Sequence, residues 1–169
     1  MSHSTIFKVT LPDNTKDFEL LTESDLEHSG FIDGYHEWVS KLDNERIEKE
    51  YNCLNGNMGI FKVEKGVEFY WLTLKFEDLK YAYLTNLKYA RDLLTKHIQE
   101  IEEEKEGFAD CYRINQALNG AKDDYYFFYN GSYYTKFEFI EMLVTGKPYF
   151  FKENDLISFR LEGAIDYHC

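Results

Sequence analysis

The start of the chain alternates polar and apolar side chains. Phe7, Val9 and Leu11 recur at every second position, and the run stops at a Pro-Asp-Asn turn signal. Successive side chains point to opposite faces of a strand, so this spacing predicts a strand over 5–11. A shorter apolar stretch predicts a second strand over 17–21, which would complete an opening hairpin.

Helical spacing follows in two stretches. Thr22 is a favourable helix cap and Asp25 stands at the capping-box position, which predicts a short helix that ends at Gly30. Over 33–54 the apolar positions fall at intervals typical of one helical stripe, with acids between them. We therefore expect a second helix across 33–54.

The middle of the chain predicts a hairpin followed by a long helix. Two runs rich in apolar residues, over 58–63 and 67–76, are separated by a short connection that contains Gly66. Such a connection suits a β-hairpin. Beyond it the apolar side chains step by three and four residues, which predicts one long amphipathic helix over about 77–104.

The last part of the chain opens with the strongest local signal. Five aromatic residues over 125–129 precede an Asn-Gly pair, which supplies the positive φ angles that a two-residue hairpin turn requires. Thr135 then caps a helix with Glu138 in the capping-box position, and Gly146 ends it. Three further elements are predicted: a short helix over 108–118, and strands over 149–151 and 156–161.

The order of these elements defines the fold class. Hairpins are separated by helices, without regular alternation of single strands and helices, which is typical of α+β proteins. We predict an α+β fold in which an antiparallel sheet built from hairpins packs with the long helix and several shorter helices. No flexible linker, low-complexity tract or internal repeat divides the chain, so 1–169 should form a single globular domain.

Composition is that of a folded protein outside the membrane. Hydrophobic residues make up 44% and aromatic residues 18%, far from the composition of disordered chains. No apolar run approaches the roughly 18 residues of a membrane helix, and the first residues do not resemble a secretory signal. Three cysteines, an odd number, argue against a disulfide framework. We expect a cytoplasmic protein, in the host cytoplasm if a virus encodes it.

The net charge of −12 comes mainly from two stretches. Residues 13–50 hold twelve Asp/Glu against four Lys/Arg, and residues 100–106 hold five against one. Acids at the carboxyl end of a helix oppose its dipole, so stability does not explain the second stretch. A negative field repels phosphate and attracts basic proteins. We expect a basic protein or protein complex as partner and no direct nucleic-acid binding, although acidity also simply aids solubility.

No spacing of residues marks a catalytic, metal or cofactor site. The histidines and cysteines form no H-x-x-x-H or C-x-x-C pattern, the glycines form no phosphate cradle, and no G-x-S-x-G elbow occurs. Paired carboxylates are too common to be specific. We therefore predict no catalytic residue, metal ligand or cofactor. The alternative is a hydrolase or nuclease whose site the fold assembles from dispersed Asp, Glu and His residues.

Aromatic residues are abundant, with fourteen tyrosines and fourteen phenylalanines. The aromatics over 125–134 cannot all face one core, because side chains alternate between the two faces of a strand. Some aromatic surface should be exposed or covered by a partner, and tyrosine is enriched at protein interfaces. Self-association explains the same fact equally well, and a pocket for a small ligand is a third explanation.

Aromatic faces beside acidic surface favour an acidic protein-binding module that docks on another macromolecule and inhibits or modulates it. In composition the chain is similar to virus-encoded inhibitors of host defence or nucleic-acid-handling enzymes, some of which mimic nucleic-acid charge; no motif carries the similarity. The predicted contacts lie on residues 33–50 of the second helix, the acidic end over 100–106 and the hairpin over 125–134: Glu37, Asp43, Glu45, Glu48, Glu100, Glu102, Glu103, Glu104, Tyr126, Tyr129 and Tyr133.

Overall fold

A mixed seven-stranded sheet carries five α-helices in the computed structural model, which describes residues 3–12, 18–28, 38–103, 125–151 and 155–168. The strands are β1 (His3–Thr10), β2 (Trp38–Lys41), β3 (Lys62–Lys65), β4 (Tyr70–Lys75), β5 (Tyr125–Tyr129), β6 (Ser132–Thr135) and β7 (Leu156–His168). The helices are α1 (Glu23–His28), α2 (Asn44–Leu54), α3 (Phe76–Glu102), α4 (Lys136–Thr145) and α5 (Lys147–Phe150), with a 3-10 turn at Asn57–Gly59. The predicted α+β class and the long helix are confirmed.

The sheet has the order β3-β4-β7-β1-β5-β6, and β2 pairs with the far end of β7. All strand pairs are antiparallel except β1 with β5, which is parallel. The two predicted hairpins, β3–β4 and β5–β6, are confirmed. They flank a central pair, β1 and β7, that comes from opposite ends of the chain, so hairpins alone do not build the sheet.

The predicted opening hairpin is wrong. Residues 18–22 contain no strand, and β1 pairs with β5 and β7 instead. Ile6 and Phe7 are both fully buried, so β1 has apolar surface on both faces and occupies the middle of the sheet. Alternation along a segment shows that it is extended, but it does not identify the strand that pairs with it.

Two further predicted elements differ from the structure. Of the helix predicted over 33–54, the described residues 38–54 contain α2 as their helix, and 38–41 form β2 instead. Residues 33–37 lie outside the described ranges. Asp43 caps α2 by accepting a hydrogen bond from the Arg46 N–H at 2.8 Å, so the cap marks the true start of the helix. The strand predicted over 149–151 is wrong, because α5 occupies 147–150 with Pro148 in its first turn. The predicted helix over 108–118 and Gly30 lie outside the described residues.

Signals that act within a few residues are confirmed. Asn130 and Gly131 form the hairpin turn with φ angles of 50° and 77°. Thr135 accepts a hydrogen bond from the Glu138 N–H at 3.2 Å, and the Glu138 carboxylate accepts one from the Thr135 N–H at 2.7 Å. This is the predicted capping box of α4.

Both faces of the sheet are covered. The larger core lies between one face and helices α2, α3 and α4, where Phe127 stacks on Phe139 with ring centroids 4.4 Å apart. On the other face a smaller core joins Ile6, Phe128 and Leu26 of α1. The aromatic side chains of β5 are therefore divided between two cores, as the alternation of strand side chains requires.

Candidate functional site

Strands β1 and β7 lose register at one point near the centre of the sheet. Two residues of β7, Glu162 and Gly163, lie opposite the single residue Lys8 of β1, which defines a β-bulge. Gly163 has a φ of 108°, a conformation that favours glycine. The Gly163 N–H donates a hydrogen bond to the phenolic oxygen of Tyr51 at 2.9 Å. Helix α2 therefore holds the bulge in place.

A buried charge cluster surrounds Glu162, whose side chain is 2% exposed. Arg160 donates from Nε to the Glu162 carboxylate at 2.6 Å and also contacts it through a terminal nitrogen. The Thr10 hydroxyl donates to the second carboxylate oxygen at 2.9 Å, and the Lys8 Nζ lies 3.9 Å from it. A buried carboxylate is costly unless it is paired and hydrogen-bonded, and this one is both.

An open cavity of about 780 Å³ lies over the cluster on the face of the smaller core. The sheet contributes Lys8, Thr10, Phe128 and Glu162 to its lining. We call it the bulge cavity. The remaining lining includes Glu19, Asp25 and the hairpin turn of Asn130 and Gly131.

A groove lies on the other side of the bulge, between residues 18–24 and helix α2. It consists of two depressions of about 490 Å³ and 210 Å³ that share Leu20, Ile47, Asn44 and Gly163. We call this surface the α2 groove. The Phe18 ring stacks on that of Phe69 with centroids 5.2 Å apart, and both rings line the smaller depression.

Apolar side chains are exposed at the α2 groove. Phe18 is 42% exposed and Leu20 is 52% exposed. The Arg160 guanidinium carbon lies 5.0 Å from the centroid of the Phe69 ring. This cation–π contact joins the aromatic pair to the buried charge cluster. The groove thus presents apolar surface on a fixed base.

Acidic side chains surround this apolar surface. Glu23, Glu48 and Glu68 line the groove and are exposed, whereas the cations that line it among the described residues are Lys41 and Lys65. Hydrogen bonds from the Tyr70 hydroxyl and from Lys65 lower the pKa of Glu48, so this carboxylate stays ionised at neutral pH. The rim therefore has a net negative charge.

The structure separates the predicted acidic contacts into two groups. Asp43, Glu45 and Glu48 lie on or just before α2 and are exposed, and Glu48 lines the α2 groove. The second group lies at the carboxyl end of α3, where Glu100 pairs with Lys96 at 3.4 Å and with His97 at 3.3 Å. Glu102 and Glu103, which belong to this second group, are exposed.

The predicted tyrosine contacts are also divided. Tyr133 is 40% exposed, and Tyr126 is partly buried in edge contact with Tyr167, with ring centroids 5.9 Å apart. Tyr129 is only 5% exposed and packs edge-on against Phe159, so it belongs to the larger core and not to a contact surface. Its burial follows from alternation, since Tyr129 shares the inward face of β5. Glu37 and Glu104 lie outside the residues that the structure describes.

Sequence reasoning missed the residues that build the bulge cavity and the apolar centre of the α2 groove. Lys8 and Glu162 are charged residues inside strands rich in apolar side chains, and such residues are buried only when they are paired. These two charged residues can be recognised in the sequence. The bulge cannot be predicted from the sequence, because it depends on the register between β1 and β7.

Within the part of the chain that the structure describes, no helix combines the length and apolar composition that crossing a membrane requires. The same described ranges contain no group of three or more His, Cys, Asp or Glu side chains placed to hold a metal ion. No protein-family model, curated protein or solved structure matches the chain.

Proposed function

We propose that the protein is an acidic protein-binding module that docks through the α2 groove onto a basic, partly apolar surface of another protein and modulates it. The observation that carries the proposal is the exposure of Phe18 and Leu20 inside a rim of acidic side chains. Interfaces commonly combine a central apolar anchor with a charged rim.

The exposed apolar pair supplies the affinity. Fully burying a Phe or Leu side chain is worth about 1.5–3 kcal/mol relative to leaving it exposed. Phe18 and Leu20 are each about half exposed, so a partner that covers both gains part of that free energy from each. Neither side chain reaches the protein's own core.

The groove is formed before a partner arrives. The Leu21 N–H donates to the Glu162 carbonyl oxygen at 2.9 Å, which ties residues 18–22 to the bulge. The Thr22 hydroxyl and N–H both donate to the Asp25 carboxylate, at 2.9 and 2.8 Å. A preformed surface loses less conformational entropy on binding than one that must order itself.

The rim selects the charge of the partner. Glu23, Glu48 and Glu68 carry negative charge at the groove, and the whole chain has a net charge of −12. Complementary charge raises the association rate and rejects acidic proteins, and salt weakens both effects. A segment with Lys or Arg residues beside a large apolar side chain has the required chemistry.

Inhibition of a host defence or nucleic-acid-handling enzyme by charge mimicry stays a prediction from composition. The lack of direct nucleic-acid binding and the hydrolase or nuclease alternative stay predictions too. Self-association is a competing occupant of the same groove, and sedimentation of the purified protein separates it from binding to another protein.

The first test is affinity capture from the native lysate at low and at physiological salt, with the partner then purified for quantitative binding. We compare Leu20→Ser with Leu84→Ser, because Leu84 on α3 is also 52% exposed but lies outside the groove. We expect a basic partner that Leu20→Ser binds at least tenfold more weakly and Leu84→Ser binds normally. Equal binding by both variants would overturn the proposal.

Charge reversal provides the second test. The double variant Glu23→Lys, Glu68→Lys changes the groove, and Glu102→Lys, Glu103→Lys changes the end of α3 by the same charge. We expect the first pair to slow association and reduce its salt dependence, and the second pair to have a much smaller effect. The reverse order would place the contact on α3 instead.

A further inference from the structure

We infer that α3 pairs antiparallel with α3 of a second copy of this chain, through an apolar stripe on its exposed side. This surface is separate from the α2 groove, and the inference does not depend on the proposed protein-binding function.

The stripe has the spacing of a coiled-coil seam. Five positions are separated by three, four, three and four residues: Leu84, Leu87, Arg91, Leu94 and Ile98. We call them the α3 stripe. Residues at these intervals lie along one side of a helix. Leu84, Leu87 and Ile98 are each between 45% and 55% exposed, so the stripe presents apolar surface.

The α3 stripe is not the side of α3 that faces the protein's own core. Leu79, Ala82 and His97 are buried and project from another side, and among the described elements α3 packs mainly against α4 and β4. From Leu84 to Ile98 the stripe is about 21 Å long. A continuous exposed apolar surface of this kind marks an interaction site.

The charges beside the stripe differ between its two halves. Near the amino-terminal half the exposed residues are Lys80, Lys88 and Glu77, and the carboxyl-terminal half ends in the exposed acids Glu102 and Glu103. An antiparallel copy places each acidic end beside the lysines of the other copy. A two-fold axis produces both contacts at once, because the same patch is used on both copies. The surface is therefore complementary to itself, which identifies a second copy as the occupant.

Arg91 favours the same orientation. In a parallel pair in register, each Arg91 would face the other Arg91 in the seam, where like charges repel. In an antiparallel pair centred between 92 and 93, Arg91 lies opposite Leu94 and Leu87 lies opposite Ile98. Arginine lays its apolar stem along apolar surface while its charged head stays at the edge. The Arg91 head is already held there by Asp92, at 3.1 Å.

The pairing also accounts for the acidic end of α3. Glu102 and Glu103 oppose the dipole of their own helix. Lys96 does not offset them, because it pairs with Glu100 at 3.4 Å. In the antiparallel pair, Glu102 lies within about one turn of Lys80 of the other copy. That position is near the amino-terminal end of the other helix, where negative charge is favourable.

The first test is the oligomeric state of the full chain, measured by sedimentation velocity over a range of concentrations. We expect a reversible dimer that Leu87→Ser weakens at least tenfold. Tyr89→Ser is the matched control and should leave the dimer unchanged, because Tyr89 is 60% exposed on another side of the same helix. A wild-type chain that stays monomeric up to about 1 mM would overturn the inference. Equal dimerisation of wild type and Leu87→Ser would do the same.

A charge swap tests the orientation. Lys80→Glu and Glu102→Lys should each weaken the dimer about fivefold, because each makes two contacts per dimer repulsive. The double variant Lys80→Glu, Glu102→Lys should recover the dimerisation of wild type. The two residues are about 33 Å apart along one helix, so a contact within one copy cannot produce the recovery. A double variant no better than the single variants would exclude the antiparallel pairing.

Leu20→Ser separates this dimer from self-association through the α2 groove. A dimer through α3 leaves the groove free, so Leu20→Ser should not change its dissociation constant. A dimer that is lost with Leu20→Ser and kept with Leu87→Ser would place the contact in the groove and contradict the inference.

Discussion

Tyr51 of α2 accepts a hydrogen bond from the backbone N–H of Gly163 at 2.9 Å, and this contact joins a helix to the bulge of β7. A bulge frees a backbone N–H from the strand ladder, and a buried N–H needs another acceptor. Tyr51 supplies it while being only 4% exposed. Because Gly163 lines the α2 groove and Glu162 lines the bulge cavity, the same contact positions the boundary between the two sites.

Replacing Tyr51 by Phe should destabilise the protein. The ring stays in the core, but the Gly163 N–H loses its acceptor, which costs about 1–3 kcal/mol for a buried group. Urea unfolding at pH 7 measures the change. Tyr81→Phe is the control, because Tyr81 is 75% exposed and its loss should change the free energy of unfolding very little. Equal stability of the two variants would contradict the assigned role of Tyr51.

Tyr51 should also make the protein sensitive to alkaline pH. Burial raises the pKa of Tyr51 to about 12, from the usual tyrosine value of 10.0. The folded state therefore keeps a proton that the unfolded state releases, so the free energy of unfolding falls as pH rises from 10 to 12. The full effect of such a shift is about 2–3 kcal/mol.

Unfolding of wild type and Tyr51→Phe at pH 8, 10 and 11 isolates this titration from that of other tyrosines. The stability advantage of wild type should be constant below pH 10 and shrink above it. A difference between the two proteins that stays the same at pH 11 would rule out a raised pKa at Tyr51.

Gly163→Ala should be more costly than a similar change at an open turn. Gly163 has a φ of 108°, and an added Cβ would lie 3.4 Å from Leu20 and from the Leu21 nitrogen. Backbone strain of this kind costs about 1–3 kcal/mol. Gly56 is the control, because it has a φ of 78° and no atom within 4 Å of an added Cβ. Unfolding free energies should therefore fall further for Gly163→Ala than for Gly56→Ala.

The parts of the fold that sequence predicted depend on neighbours in the chain. Asn130 and Gly131 form their turn through their own φ preferences, and Thr135 and Glu138 form their capping box within one helical turn. The long periodicity of α3 is likewise a property of one segment. The sequence of one short segment therefore contains the information needed to predict each of these features.

The parts that sequence missed depend on partners far apart in the chain. The pairing of β1 with β7 sets the bulge, and the bulge places Lys8 beside Glu162. The sequence pattern predicts that Phe18 and Leu20 belong to a strand. In the structure, residues 18–22 are instead held at the bulge by the hydrogen bond from the Leu21 N–H. The α2 groove could therefore be found only in part: its α2 acid Glu48 is among the predicted contacts, and its apolar centre is not.

Glu162→Gln should be among the most destabilising single changes in the sheet. The variant keeps the size of the side chain but leaves Arg160 without its counter-charge in a site where Arg160 is only 13% exposed. Breaking a buried ion pair in this way costs about 3–5 kcal/mol. Chemical unfolding in low and high salt measures it, and salt should change the cost little because the pair is shielded from solvent.

Glu48→Gln is the matched control for that change. Glu48 also pairs with a cation, Lys65 at 3.0 Å, but both side chains are about half exposed or more. Exposed pairs are worth about 0–1 kcal/mol, and salt screens them. If Glu162→Gln costs no more than Glu48→Gln, the charge cluster does not hold the centre of the sheet. A large, salt-independent cost would show that the contacts of Glu162 with Arg160 and Thr10 hold the centre of the sheet.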